Sequence, residues 1–194
     1  MRIIYWTIKW AVLLGSLGGT FPSWADRPID RQVTTEGLAQ LHMNDGSRYE
    51  IRVPPETQFV FIDRRKHRLR KHDYVAVYAQ SSSSSGQPLG LCGAGREIEL
   101  KVYRIDGRAL EAVRDVKVES CLESVYLASQ NTGEPDQENN FSSVHWDEHG
   151  FSVRWLSRFD SAGKPLESTR YEFEGAGFEV REQHYKNTNE RSDT

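Results

Sequence analysis

The chain has 194 residues, of which 37% are apolar and 27% charged, and its formal net charge is -3. This composition excludes a disordered chain and a polytopic membrane protein, and the length suits one domain or at most two small ones. A net-negative chain also gives no general electrostatic support to nucleic-acid binding.

Residues 1–25 read as a secretory signal peptide. Arg2 opens an apolar stretch from Ile3 to Phe21 that only Lys9 interrupts, and Ser23 and Ala25 place small residues before a cut after Ala25. The apolar run beyond Lys9 is about 12 residues, short of the roughly 20 that a spanning helix needs. The alternative is an uncleaved anchor in which Lys9 snorkels. No cysteine lies near the cut, which argues against a bacterial lipid anchor. The leader resembles those of Gram-negative exported proteins, so the expected location is the periplasm. Cleavage removes Arg2 and Lys9 and makes the remaining chain more acidic. Residues 26–194 are expected to form a single β-rich domain, with 131–140 as the place where it would subdivide.

The elements follow a period of two almost throughout. Leu38–Met43 and Glu50–Val53 flank Asn44-Asp45-Gly46, a hairpin turn signal. Pro54-Pro55 breaks the chain, and Gln58–Ile62 is a short apolar run with the look of a buried strand. Tyr74–Tyr78 predicts another strand, followed by Ser81–Ser85, Gly86 and Pro88, a segment with nothing to bury and therefore a loop. In Glu97–Tyr103 the residues Ile98, Leu100 and Val102 alternate with Glu97, Glu99 and Lys101. Asp106-Gly107 marks a turn. Arg108–Val118 could be written as a helix, but the alternating β-branched Val116 and Val118 favour a strand. A further strand is expected within Leu122–Leu127.

Asn131–Asn140 is polar, contains Gly133 and Pro135, and reads as a long connection. After it, Val144–Asp147 leads through Glu148-His149-Gly150 into a strand whose Phe151, Val153, Trp155, Ser157 and Phe159 share one face. Asp160–Lys164 turns the chain into Glu167–Glu174. Gly175–Gly177 turns it again into a last strand, with Phe178 and Val180 inward. The expected fold is all-β: a mainly antiparallel meander of about nine or ten strands, closed as a sandwich, a barrel or a strongly curved sheet.

Cys92 and Cys121 are the only cysteines. In an exported chain they are expected to form one structural disulfide. Their near-mirror placement about the Asp106-Gly107 turn supports that pairing. Closing a loop of this length stabilises by roughly 3–4 kcal/mol in the chain-entropy account. Neither cysteine has a Cys-x-x-Cys partner or a histidine at ligand spacing, so no metal or cofactor is expected there. The glycines of Gly90–Gly95 are read as letting the chain turn tightly beside the bridge, not as a phosphate cradle, since no Lys-Ser/Thr ending follows.

The sharpest local feature is Arg64–His72, which holds six Lys or Arg and two His in an acidic chain. Arg64, Arg65, Lys66, Arg68, Arg70 and Lys71 are the candidate binding residues. Set between two strands, the run forms a projecting loop or the exposed end of a strand pair, and it suits an acidic protein face, phosphates, acidic sugars or a membrane surface. Nucleic acid does not fit, because no aromatic residues interleave with the charges. Opposite charge gathers in residues 111–150, where nine acids face Arg114 and Lys117. This lopsidedness favours a steered protein partner or, equally, intramolecular pairing with the basic run.

Catalytic signatures are weak. His145-Trp-Asp-Glu-His149 has its glutamate beside the wrong histidine for a zinc protease and lies in a strand, where i and i+4 are about 13 Å apart. No serine sits in a nucleophile elbow. Glu97 with Glu99, and Glu172 with Glu174, are i, i+2 pairs that could serve glycosidic chemistry but more simply form solvated strand faces. The expectation is an exported non-enzymatic binding protein with an envelope protein partner, such as a periplasmic inhibitor or immunity protein that blocks an envelope hydrolase. The alternatives are a glycan or peptidoglycan hydrolase and a small-ligand carrier in the mouth of a barrel.

Overall fold

The computed structural model describes residues 37–186 except Ser85, Gln87, Pro88, Asp136 and Ala176. The leader and the cut after Ala25 lie outside the described residues. Eleven strands form, all antiparallel: β1 Leu38–His42, β2 Arg48–Arg52, β3 Phe59–Leu69, β4 His72–Ser82, β5 Arg96–Asp106, β6 Ala109–Ser120, β7 Tyr126–Leu127, β8 Val144–Asp147, β9 Gly150–Ser157, β10 Leu166–Glu174 and β11 Gly177–His184. Two single 3-10 turns, Ala128–Gln130 and Gln137–Asn139, lie between β7 and β8, and no α-helix occurs among the described residues. The all-β reading of the sequence is correct.

The strands make three sheets. β1 and β2 pair alone, β3-β4-β5-β6 is a four-stranded meander, and β11-β10-β9-β7 is a second sheet with β8 also on β9. Among the described residues no sheet closes into a barrel. Two apolar clusters define the layers. One joins the inner face of the four-stranded sheet (Tyr74, Tyr78, Leu100, Val118) to the second sheet (Phe151, Trp155, Leu166, Tyr171). The other covers the opposite face, where Leu41, Met43 and Ile51 of the β1–β2 hairpin meet Val60, Ile62, Val75 and Val77. The central strand β4 is therefore covered on both sides. This explains why Tyr74-Val-Ala-Val-Tyr78 is a continuous apolar run while β5 alternates.

Several segments differ from their sequence reading. β3 does not stop at Ile62 but continues through the basic run to Leu69, because Leu69 is fully buried and the β3–β4 ladder resumes at His67 after a bulge. Ser81 and Ser82 belong to β4 and pair with Glu97 and Arg96, since the ladder needs only backbone groups. Only Tyr126 and Leu127 of the 122–127 segment form a strand, and Leu122 stands in solvent. Phe159 and Val180 are exposed, the first beyond the end of β9 and the second on the edge strand β11. β10 also begins one residue earlier than the sequence suggested, at Leu166, which a bulge before Ser168 places in the core.

Cys92 and Cys121 form the disulfide, with Cα atoms 5.8 Å apart. The β5–β6 turn is Gly107-Arg108, one residue later than the sequence suggested, and two bulges carry the ladder from Asp106↔Ala109 to Glu97↔Ser120. A Cβ on Gly95 would lie 2.7 Å from Cys121 Cβ and 3.0 Å from its sulfur, so this glycine does let the chain pass close to the bridge. The polar connection 131–140 is anchored to the central sheet by Arg96. Its guanidinium binds the Glu119 carboxylate at 2.6 Å and the Glu138 carbonyl oxygen at 2.8 Å. Burial pushes the Glu119 carboxyl above its ordinary value, against the opposing pull of Arg96.

Candidate interaction surface

The antiparallel order gives the four-stranded sheet two chemically distinct ends. The β3–β4 turn at Arg70-Lys71 and the β5–β6 turn at Gly107-Arg108 lie at one end, because Tyr74 pairs with Arg104. The disulfide lies at the other end, where Ser82 pairs with Arg96 and the Cys121 amide meets the Arg96 carbonyl oxygen. The basic run is thus the exposed end of a strand pair, the second of the two geometries expected for it.

The six candidate cations divide into two groups. Arg65 lies 3.3 Å from Asp63, Lys66 2.8 Å from Asp45, and Arg68 3.0 Å from Asp73. Lys66 also sits 5.3 Å from the Tyr49 ring centroid, so the β1–β2 hairpin takes up its charge. The hydrogen bond from Lys66 holds the Asp45 carboxyl far below its usual range and raises the Lys66 ammonium. Burial pushes the Asp63 carboxyl up, but its hydrogen bond with His67 and the Arg65 amide and charge hold it below the ordinary value.

Arg64, Arg70 and Lys71 form the other group. Arg64 donates to the His42 carbonyl oxygen at 3.0 Å, a neutral partner that leaves its charge uncompensated. The Arg70 guanidinium leans to 5.8 Å from the Phe173 ring centroid and stays exposed, as Lys71 does. Arg70 holds a left-handed backbone at φ 54°, which costs a non-glycine residue about 1 kcal/mol in so tight a turn. Arg108, exposed on the neighbouring turn, belongs with these three. Among the described residues none of the four has a carboxylate at ion-pair distance. Arg108 escaped the sequence reading because it stands outside the basic run. Its signal was its place beside Gly107, in the turn that an antiparallel meander must bring to this end.

Several of the described acids of 111–150 are paired with other bases. Glu111 binds Arg104 at 2.5 Å, Asp115 binds Lys101 at 3.1 Å, Glu119 binds Arg96, and Glu123 binds Lys117. The intramolecular pairing with the basic run that the sequence offered does not form for these four acids: their partners are β5 and β6 cations. Asp147 of the His145–His149 segment is held by Arg170 through two hydrogen bonds of 2.6 and 2.7 Å. Trp146 stacks on His67 at 4.1 Å, joining β8 to the β3 bulge.

Arg170 holds the Asp147 carboxyl down at about 2, against the ordinary 3.8. A carboxylate depressed in the folded state stabilises above its unfolded pKa, and that stability is lost as pH falls from about 4 through 2. The pair is partly exposed, so solvent screening limits the effect to about 1 kcal/mol. Arg170→Met should therefore lower the urea midpoint at pH 7 and have little effect near pH 2, measured by unfolding titrations at both.

At the disulfide end a shallow groove of about 280 Å³ opens on the outer face of the central sheet, beyond the cover of the β1–β2 hairpin. Glu97 and Glu99, the pair considered for glycosidic chemistry, both line it. Glu97 accepts from the Ser83 hydroxyl at 2.5 Å and Glu99 lies 3.0 Å from Lys101. Comparison with protein-family models, with curated proteins and with solved structures finds no match to this chain.

Proposed function

We propose that this is an exported, non-enzymatic binding protein that seats the end of its central sheet against an acidic face of an envelope protein. An inhibitor or immunity protein that blocks a periplasmic hydrolase would work in this way. The observation that carries the reading is the group Arg70, Lys71 and Arg108 on adjoining turns, with Arg64 further back on β3: four exposed cations with no carboxylate at ion-pair distance among the described residues, in a chain whose net charge is -3. Such a local field raises encounter rates with an acidic partner and suppresses wrong ones. The rigid two-residue turn and the buried Leu69 and Tyr74 behind it keep the ordering cost on binding small.

The test is affinity capture from a Gram-negative cell envelope, at low and moderate salt, with the disulfide intact. The wild-type chain should retain one acidic envelope protein in stoichiometric amount. The triple variant Arg70→Glu, Lys71→Glu, Arg108→Glu should bind it at least roughly tenfold more weakly. All three sites are exposed turn positions, so the variant should fold. Equal retention by wild type and variant would remove this surface from the contact. Retention of lipid or glycan alone would sink the protein-partner reading.

A further inference from the structure

The opposite end of the same sheet has a different chemistry. Leu89, Leu91 and Leu122 are 101%, 91% and 60% exposed. A lone exposed leucine needs no explanation, but two of these, Leu91 and Leu122, are brought together by covalent structure. Leu91 precedes Cys92 and Leu122 follows Cys121, so the disulfide fastens two leucine-bearing segments with Cα atoms 5.8 Å apart. Gly95, pressed against Cys121, and the Ser83 amide bonded to the Gly95 carbonyl oxygen at 3.0 Å stiffen the same loop. The leucines thus stand on a preorganised support, where burying each side chain against a partner loses little chain entropy.

Leu122 also forms one rim of the groove described above, with Pro54, Glu56 and Thr57 on another side and Ala79, Glu97, Glu99 and Lys101 among its lining. The charge there is one-sided. Lys101 is shared by Glu99 and Asp115 at 3.0 and 3.1 Å, and Lys117 is taken by Glu123. Among the described residues Glu97 is held by neutral donors, the Ser83 hydroxyl and the Leu122 amide, and Glu56 is exposed. Five carboxylates, Glu56, Glu97, Glu99, Asp115 and Glu123, therefore stand against two ammonium groups in and around the groove that Leu122 lines. An anionic membrane surface would be repelled here. A segment with cations for the groove and apolar side chains for the leucines is complementary.

We propose that the groove lined by Leu122 at the disulfide end docks an extended, cationic polypeptide segment of a partner protein, its Lys or Arg side chains over Glu56 and Glu97 and its apolar side chains on Leu122 and, across the disulfide, Leu91. The inference rests on the reading of the chain as a binding protein and gives it a second contact, at the end of the sheet away from Arg70 and Lys71. A strand-like segment suits the site because its side chains alternate, so one face carries charge into the groove while the backbone stays beside the sheet.

The test uses the purified protein with its disulfide intact and a six-residue synthetic peptide of alternating lysine and leucine. Binding is followed by fluorescence anisotropy and by amide shifts in a heteronuclear NMR spectrum. The expected result is saturable binding, with shifts confined to residues 56–57, 81–83, 89–92, 97–101 and 117–123. A matched peptide of alternating glutamate and leucine should bind at least tenfold more weakly, and so should one of lysine and serine. The double variant Leu91→Ser, Leu122→Ser should lose at least tenfold in affinity with an unchanged melting temperature, since both side chains are exposed. Glu56→Lys, also exposed, should lose a similar amount.

Equal affinity for the glutamate and lysine peptides, or shifts that map elsewhere, would overturn the proposal. So would concentration-dependent self-association abolished both by the leucine variant and by Arg70→Glu with Lys71→Glu, which would assign the groove to a second copy of this chain. That basic-end variant should leave peptide binding unchanged. A failure of the cationic-end reading is thereby told apart from a failure of this one.

Discussion

Gly150→Ala should be the most damaging single-methyl change in the second sheet, lowering stability by more than about 3 kcal/mol. Gly150 opens β9 at φ 153°, a backbone region that L residues rarely adopt. A Cβ there would lie 2.0 Å from the Tyr171 carbonyl oxygen, 3.1 Å from its carbon and 3.2 Å from Glu172 Cα. These are backbone atoms of β10, paired to β9 from Glu172↔Gly150 to Ser168↔Arg154, so relief requires the ladder itself to open. Tyr171 stacks on Phe151 at 4.6 Å directly behind it, so the shift would spread into the aromatic core. Gly163 is the internal control: its φ is also positive, at 76°, but a Cβ there meets nothing within 4 Å. Gly163→Ala should cost only about 1 kcal/mol, from backbone conformation alone. Urea unfolding of the two variants checks the contrast. A loss at Gly150 no larger than at Gly163 would mean that β9 and β10 do not approach in this register.

Trp155→Ala should cost about 3–5 kcal/mol. Trp155 is 2% exposed at the centre of the larger apolar cluster, and its indole donates to the Thr169 hydroxyl at 2.9 Å across the β9–β10 pair. Truncation leaves a cavity between the two sheets and strands a buried hydroxyl, and both effects destabilise. Trp155→Phe keeps most of the packing and should cost about 1–2 kcal/mol, chiefly the lost hydrogen bond and a smaller void. The midpoint of urea unfolding separates these outcomes. A loss below about 1 kcal/mol for the alanine variant would contradict a core in which the two sheets meet.

The strands were legible wherever one face is core and the other solvent. Ile98, Leu100 and Val102, or Phe151, Val153 and Trp155, alternate because the sheet forces them to. Glycine-marked turns were legible to within a residue. What a local pattern could not carry was burial set by distant segments. β3 runs through a string of cations because a single buried Leu69 and the β4 ladder hold it, and six charges masked that in the sequence. Val180 has the right periodicity for the core but lies on an edge strand where the opposing sheet no longer reaches. Sheet order was also hidden: nothing in Leu38–Arg52 announces that this hairpin covers the outer face of β3 and β4.

The candidate surface was legible as a composition and not as a charge distribution. Which cations of Arg64–Lys71 remain uncompensated depends on Asp45, contributed by another hairpin, and on Asp63 and Asp73 within the strands themselves. Arg108 joins the surface only through antiparallel topology. The exposed Leu91 and Leu122 acquire meaning only once the disulfide brings them together.

The most direct test of the cationic-end claim is the association rate constant between this protein and its captured envelope partner, followed by stopped flow as ionic strength rises. Exposed charges are screened beyond about 8 Å at physiological salt. The account predicts a wild-type rate that falls at least tenfold between low and high salt. The Arg70→Glu, Lys71→Glu, Arg108→Glu variant should associate slowly at every salt concentration, with less change in dissociation. A rate constant indifferent both to salt and to the charge reversal would contradict it.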